Sequence, residues 1–331
     1  MAKVDILLAT YNGEKYLKEQ LDSILNQTYT GFRLLISDDM STDSTRAILK
    51  EYANKDNRIK IYLQKKNLGV IENFEFLLGK VRSEFFMFSD QDDIWDFDKV
   101  KLSFDKIRET NSNLVYTNLE VVDKDLKVMY ESYWELKGFE NKIKKYNNFD
   151  SLYLNNYVTG STIISRKELI EKILPLPKST KYILHDYWVA LMVSQYGNIS
   201  YIKEPLIKYR QHKDNKIGSD KVSDKMETLD DIRKLFITVK REHFQAFVGK
   251  EDKFVNKETQ LLNVKSLKYF IRLERIKYIN FKSWKLFYKL YKYEKFNYMV
   301  QNFVILNLPI VARVLFKIKK KREEKKKEKS K

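Results

Sequence analysis

The chain has 331 residues, no cysteine and 43% hydrophobic residues. That length and apolar content support one large or two modest domains with a sizeable core, and the missing thiols exclude a disulfide scaffold, thiolate zinc sites and a cysteine nucleophile. The net charge of +18 is local: residues 264–331 hold 21 basic and 5 acidic groups, while the other 263 residues hold 42 and 40. The body is therefore electrostatically ordinary, and a partner for the basic stretch must be argued separately. Three histidines, His185, His212 and His243, leave little for a multi-histidine metal site, though carboxylates abound. The N-terminus, Met-Ala-Lys-Val-Asp, runs into a strand-like segment with no signal-peptide apolar region, so a cytoplasmic location is expected.

In chain order, residues 4–9 form an apolar run suited to a buried strand. A helical pattern follows Asn12-Gly13, with Tyr16, Leu17, Leu21, Ile24 and Leu25 near 3.6-residue spacing. Residues 32–37 read as a second strand ending in Asp38-Asp39, after which Ser41 or Thr42 is expected to cap a helix carrying Ala47, Ile48 and Tyr52. Residues 59–63 make a third strand, 71–78 a helix, and 84–89 a fourth strand that stops at Asp90-Gln91-Asp92-Asp93, with a helix from Asp96. A further helix begins at His185, with Val189, Leu191, Met192 and Tyr196 inward. Alternating strands and helices predict an α/β fold with parallel strands and right-handed crossovers.

In such sheets ligands sit beyond the carboxyl ends of the strands, and here Thr10-Tyr11-Asn12, Asp38-Asp39 and Asp90 to Asp93 fall at those ends. No G-x-G and no G-x-x-x-x-G-K-[ST] is present, so neither the dinucleotide fingerprint nor a P-loop is available. Phosphates meeting these carboxylates need a divalent cation between them, and carboxylate and phosphate oxygens suit Mg²⁺ or Mn²⁺. The residues point to a metal-chelated nucleotide held without a P-loop.

The run Ala9-Thr10-Tyr11-Asn12-Gly13, the helix ending Ser23-Ile24-Leu25-Asn26-Gln27-Thr28, and Asp38-Asp39-Met40-Ser41-Thr42-Asp43-Ser44-Thr45 together resemble a family 2 glycosyltransferase. Ser89-Asp90-Gln91-Asp92-Asp93-Ile94-Trp95 resembles the D-x-D motif of its GT-A fold, and Tyr209-Arg210-Gln211-His212 with Asn215 a segment that closes the catalytic domain in bacterial members. The resemblance spans about residues 1–215. It implies a GT-A, Rossmann-like, mostly parallel sheet flanked by helices and a Mn²⁺- or Mg²⁺-dependent transfer from a nucleotide sugar. Carried over by position, it implies that Thr10, Tyr11, Asp38, Asp39 and Asp90 hold the donor nucleotide, with Arg210 neutralising phosphate. Asp92 and His212 would hold the metal and Asp186 would be the general base. Asp93, Trp95, Gly160, His185 and Trp188 would contact the acceptor or stand behind the site. Met40 stands where the family commonly has glycine and His185 where it commonly has an acid. The acidic-loop run looks especially like bacterial rhamnosyltransferases of cell-wall or capsular polysaccharide assembly. That implies dTDP-rhamnose as donor and a lipid-linked sugar as acceptor, with a UDP-hexose the runner-up and a non-catalytic sugar-nucleotide binder the other class.

Plainer readings stand beside these. Asp38-Asp39 can cap a helix, Asp90 to Asp93 can be a solvated turn, and Asp186 can serve the macrodipole of its helix. His212 can be an ordinary hydrogen-bonded histidine, and Gly160, which permits close backbone approach to a ligand, can equally be a strand bulge.

The C-terminal third, beyond the resemblance, is expected to comprise a helical region, 216–316, and a basic tail, 317–331. Trp284, Phe287, Tyr288 and Tyr291 share one helical face, with Lys282, Lys285, Lys289 and Lys292 on a neighbouring stripe. Such helices lie in membrane interfaces or pack on a partner. Residues 300–316 are interrupted by Gln301, Asn302, Asn307, Pro309 and Arg313, which favours an interfacial hairpin over a span. An anionic membrane surface is the expected partner of 264–331. RNA binding through interleaved lysines and aromatics is the less favoured reading.

Overall fold

The computed structural model describes residues 3–154, 156–177, 183–212, 229–255, 257–275 and 284–291, with positions 299, 303, 306 and 307. The chain divides into two compact units, 1–218 and 219–331.

The first unit opens with β1 (Val4–Thr10), α1 (Leu17–Leu25), β2 (Phe32–Asp38), α2 (Thr45–Lys55), β3 (Ile59–Leu63), α3 (Val70–Leu78) and β4 (Phe85–Ser89). These four strands are all parallel and lie in the order β3-β2-β1-β4. β1 is central, pairing Leu7 with Leu35 on one side and Phe88 on the other. A strand covered on both faces reads as a continuous apolar run, which is why 4–9 shows no alternation. α1 buries Leu17, Leu21 and Ile24 against this sheet together with the polar Gln20 and Ser23.

After β4 the sheet becomes mixed. The next elements are β5 (Ile94–Trp95), α4 (Lys99–Glu109), β6 (Leu114–Val122), β7 (Val128–Tyr130), α5 (Tyr133–Leu136), α6 (Glu140–Tyr146) and α7 (Phe149–Leu154). They are followed by β8 (Ile164–Arg166), α8 (Ile170–Ile173), α9 (His185–Ser194) and β9 (Ile199–Arg210). The sheet continues from β4 through β8, β6 and β9 to β5, with β7 on the edge of β6. Strand β8 runs antiparallel to both β4 and β6, whereas β9 is parallel to β6.

Three boundaries differ from expectation. Neither Ser41 nor Thr42 caps α2, which begins after Ser44, because the Ser41 hydroxyl is engaged by Asp38 and the Thr42 N–H by Asn12 Oδ1. α4 starts at Lys99 and not at Asp96, because Ile94 and Trp95 pair with β9 and the Asp96 N–H donates to the Leu206 carbonyl. α9 is buried from Tyr187 to Ser194, and Tyr196, expected inward, lies past its end and is 39% exposed.

The second unit contains α10 (Leu229–Gln245), α11 (Lys257–Arg275) and α12 (Trp284–Tyr291). Arg233 donates to the carbonyls of Leu273 (2.9 Å) and Leu306 (3.3 Å), and Tyr269 donates to Asn307 Oδ1 at 2.9 Å. In α12, Phe287 and Leu290 are buried, Phe287 against Phe303, while Tyr288 is 52% exposed. Among the described residues no helix is long and apolar enough to cross a membrane. The tail 317–331, most of 300–316, Asn215, Lys282, Lys292 and the side chains of Trp284, Lys285 and Tyr291 lie outside the described residues.

Candidate active site

The carboxyl ends of β1, β2 and β4 meet, and the first two build a braced floor. Thr10 and Asp38 are register partners, and the Thr10 hydroxyl donates to Asp38 Oδ2 at 3.2 Å. Asp38 is fully buried. It also accepts from the Ser41 hydroxyl and N–H and forms an ion pair with Arg46. Asp39 accepts from the N–H groups of Leu68 (2.6 Å) and Gly69 (2.8 Å), anchoring the turn into α3. Both carboxylates therefore act first as internal acceptors, while Tyr11, 49% exposed, presents its ring outward. Met40 has φ +65°, a left-handed conformation that favours glycine, which accounts for the family's preference there.

The acidic loop between β4 and β5 is fixed from several directions. Gln91 closes a pair of hydrogen bonds with the Tyr11 backbone, at 2.8 and 3.1 Å. A Cβ on Gly13 would lie 2.4 Å from Gln91 Oε1, so a larger residue there would push the Gln91 amide off these bonds. One face of α1 supplies polar anchors. The Gln20 amide lies 2.8 Å from Ser89 Oγ, and its oxygen faces Trp95 Nε1 at 3.2 Å. Ser23 Oγ accepts from the Trp95 N–H at 3.0 Å, and Gln27, just past the helix, accepts from the Val100 N–H at 2.9 Å. The resemblance motif Ser23 to Gln27 thus holds the segment that follows the acidic loop.

Within that loop the carboxylates repel one another. Burial, Asp92 and Asp186 together push Asp90 up to about 7. Asp93 is buried and accepts from the Arg210 N–H at 3.2 Å, and burial together with Asp92 and Asp90 raises it well above the usual range. Asp92 Oδ2 lies 2.8 Å from His212 Nε2, so two sequence-expected metal ligands 120 residues apart are brought together. Among the described residues no three histidine or acidic side chains converge closely enough to hold a metal by themselves. The pair fits a cation that arrives with oxygens of its own, as Mg²⁺ or Mn²⁺ on phosphates does. Because Asp90 holds its proton towards pH 7, a cation arriving there must displace it. Cation affinity is expected to fall as pH drops below 7, and Asp90→Asn to make that fall less steep in calorimetric titrations. The sign for stability is opposite: a carboxyl with a raised folded-state pKa favours the fold while protonated. The cation-free protein is therefore expected to lose stability from roughly pH 4 to about 7.

Arg210, expected to neutralise phosphate, is 2% exposed. Its guanidinium donates to the carbonyls of Asp92 and Lys124, each at 2.9 Å, and pairs with Glu19. That placement makes it a clamp between α1, the acidic loop and the end of β9. Trp95 is likewise inside the fold, with the buried Lys99 ammonium 3.6 Å from its ring centroid; burial drives that ammonium's pKa down. Trp188 is core, its indole N–H donating to the Ile173 carbonyl at 2.9 Å.

Asp186 sits in the first turn of α9, both oxygens oriented by backbone N–H groups, from Gly160 at 3.0 Å and Tyr187 at 2.7 Å. Its neighbour His185 is stacked on Phe74, centroids 4.0 Å apart, and edge-on to Phe88. Burial lowers that imidazole to about 4 and keeps it neutral. A Cβ on Gly160 would stand 3.0 Å from Asp186 Cβ and 3.3 Å from His185 Nε2. Gly160→Ala is therefore expected to displace Asp186 and to cost about 10–10²-fold in turnover, with ligand affinity retained; steady-state kinetics check this. The Asp186 charge also reaches Tyr133, whose phenol is raised by burial and then by that carboxylate.

The structure thus joins Thr10 to Asp38, Asp92 to His212 and Gly160 to Asp186 and His185, and sets Asp90 in the field of Asp92 and Asp186. Sequence reasoning missed Gln20, Gln91, Arg46 and Lys99. A signal existed for Gln20, a polar residue at core spacing between Leu17, Leu21 and Ile24 on an apolar helix face.

Comparison with known proteins accords with this geometry. Residues 5–174 match the sequence profile described as Glycosyl transferase family 2. The chain spans 65% of the length of one curated bacterial relative and 74% of another, the dTDP-rhamnosyl transferase RfbG of Shigella flexneri. The latter is 31% identical over 225 residues, 64% of this chain. Among solved structures, Staphylococcus aureus TarS 1–349 in complex with UDP-GlcNAc superposes with a TM-score of 0.56 at 19% identity, covering 88% of this chain and 80% of that one. The mannosyltransferase PcManGT of Pyrobaculum calidifontis, with GDP-Man and Mn²⁺, gives 0.50 at 15% identity over 95% and 86%. The fold is the expected GT-A type, and the chain belongs to glycosyl transferase family 2.

Proposed function

We propose that the protein is an inverting glycosyltransferase that moves a sugar from a nucleoside diphosphate to a hydroxyl of a growing cell-surface polysaccharide. The observation that carries this reading is the convergence of Asp90, Asp92, Asp93 and Asp186, with His212 against Asp92. Such a cluster is short of positive charge, and a divalent cation carried in on a diphosphate would supply it.

In this reading the catalytic domain is 1–215. The ring of Tyr11 faces the donor base, Thr10, Asp38 and Asp39 shape the pocket beneath it, and Asp90 meets the ribose-phosphate. Asp92 and His212 hold Mn²⁺ or Mg²⁺, which when bound stabilises the departing diphosphate as a Lewis acid. Asp186, its oxygens fixed by the Gly160 and Tyr187 N–H groups, takes the acceptor hydroxyl's proton as the new bond forms. A single base needs no covalent intermediate, so the sugar carbon inverts. His185, neutral, and Asp93 stand behind the reacting groups, and Arg210 acts on the phosphates only through the Asp92 backbone it holds.

The RfbG relative supports dTDP-rhamnose as donor. The aromatic and basic stretch 264–331 supports attachment of region 216–316 and tail 317–331 to the inner face of the cell membrane, and hence a lipid-linked acceptor. The test is release of nucleoside diphosphate from a panel of dTDP-, UDP- and GDP-sugars, with Mn²⁺ or with chelator. Cation-dependent release from dTDP-rhamnose supports the reading; release from a UDP-hexose instead replaces the donor and keeps the reaction. Binding of a sugar nucleotide without release, even with membrane extract as acceptor source, makes the protein a non-catalytic binder. Flotation of the full chain with vesicles of anionic but not neutral lipid supports the membrane attachment.

A further inference from the structure

We infer that Tyr16, ahead of the first turn of α1, is a positioning residue that sets His212 against Asp92; this rests on the reading of those two residues as the metal pair. The Tyr16 ring packs on the His212 imidazole, with centroids 4.8 Å apart and planes inclined by 37°. Two cations also lie against the ring, the Arg210 guanidinium 4.4 Å and the Lys15 ammonium 4.7 Å from its centroid. Cations over an aromatic face are attracted by its quadrupole, so the ring is held where Arg210 is held.

Arg210 is itself fixed. Its guanidinium pairs with Glu19, three residues beyond Tyr16, and donates to the Asp92 carbonyl at 2.9 Å. The circuit is closed: α1 grips Arg210, Arg210 grips the Asp92 backbone, Tyr16 backs His212, and His212 Nε2 meets Asp92 Oδ2 at 2.8 Å. A metal ligand needs its ring plane oriented by its surroundings; here an aromatic plane supplies that for an imidazole two residues past the end of β9.

The contribution comes from the ring and not from the hydroxyl. The Tyr16 hydroxyl is buried and has no hydrogen-bond partner among the described residues, so removing it breaks no bond, whereas removing the ring takes away the aromatic plane against which His212 packs. Phenylalanine should therefore replace Tyr16, and leucine should not.

The experiment is electron paramagnetic resonance titration of Mn²⁺ into full-length protein saturated with dTDP or UDP, comparing wild type, Tyr16→Phe, Tyr16→Leu and His212→Ala, with thermal midpoints alongside. The expected result is Mn²⁺ affinity within about twofold of wild type for Tyr16→Phe and about tenfold or more weaker for Tyr16→Leu and His212→Ala. If Tyr16→Leu does not fold, Tyr16→Met, of similar volume but with an unbranched side chain that adapts to irregular space, takes its place with the same expectation. Wild-type affinity in the leucine or methionine variant, with His212→Ala weakened, overturns the role of Tyr16 and leaves the metal pair standing. Unchanged affinity in His212→Ala overturns the metal pair and the role of Tyr16 with it. Equal losses in Tyr16→Phe and Tyr16→Leu also overturn the inference, because they assign the effect to the hydroxyl.

Discussion

Asp186→Asn is expected to lower turnover by about 10²–10⁴-fold while nucleotide affinity stays near that of the wild type. The fold orients both oxygens of this carboxylate through backbone N–H donors, Gly160 at 3.0 Å and Tyr187 at 2.7 Å. An asparagine of equal size cannot take the acceptor's proton, and one of the two donors would then face its amide nitrogen. The loss thus combines missing basicity with a mild misorientation. Asp186→Glu separates them, because it keeps the base and moves it. Turnover measured as nucleoside diphosphate release, beside calorimetric nucleotide binding, decides the matter. Near-wild-type turnover in Asp186→Asn would remove Asp186 from the mechanism, and a parallel loss of nucleotide affinity would move it to the donor site.

Asp92→Ala should abolish the cation-dependent part of nucleotide binding, an effect of at least about 10²-fold. The side chain meets His212 Nε2 at 2.8 Å, and direct ligands cost more to remove than the outer-shell groups worth 10–100-fold. The same change takes away one of the like charges that hold Asp90 up to about 7. Asp90 should then titrate lower, and the fall in cation-free stability between roughly pH 4 and 7 should narrow. Titrating nucleotide with Mn²⁺ and with chelator should give two different curves for the wild type and one curve for the variant. Two separate curves in the variant would sink the metal assignment of Asp92.

Much of the first unit was legible because its signals are local. Residues 4–9 and 32–37 are apolar runs with polar ends, and crossovers between parallel strands place those ends on one side, so Thr10, Asp38 and Asp90 were expected together before any coordinates. The helix starts were less legible. Ser41 and Thr42 have the right chemistry for a cap, but a hydroxyl can serve only a partner within reach, and Asp38 reaches Ser41 first. Asp96 likewise has a helix-start composition, but the loop ahead of α4 is held by β9, more than 100 residues away.

The exchanged roles within the site have the same cause. Arg210 has the charge to meet a phosphate, and nothing in its neighbours along the chain shows that Glu19 and the Asp92 carbonyl will claim it. Trp188 looks like part of an acceptor wall until α9 is seen buried from Tyr187 to Ser194. Gly160 was open between a bulge and a close approach to a ligand, and the groups packed against it in the fold are Asp186 and His185.

The amino-acid sequence by itself determined the alternating architecture, the carboxylate-lined crevice and the kind of ligand it suits, because periodicity, strand ends and charge are properties of neighbouring residues. The tertiary structure decided which of those residues face the crevice and which brace it. It paired Asp92 with His212, set Tyr16 behind that pair, and turned Asp38, Asp39 and Arg210 inward. Those outcomes depend on distances between groups far apart in the chain, and a hydrogen bond or ring contact forms only where the packed sheet and helices bring its two halves within a few ångströms.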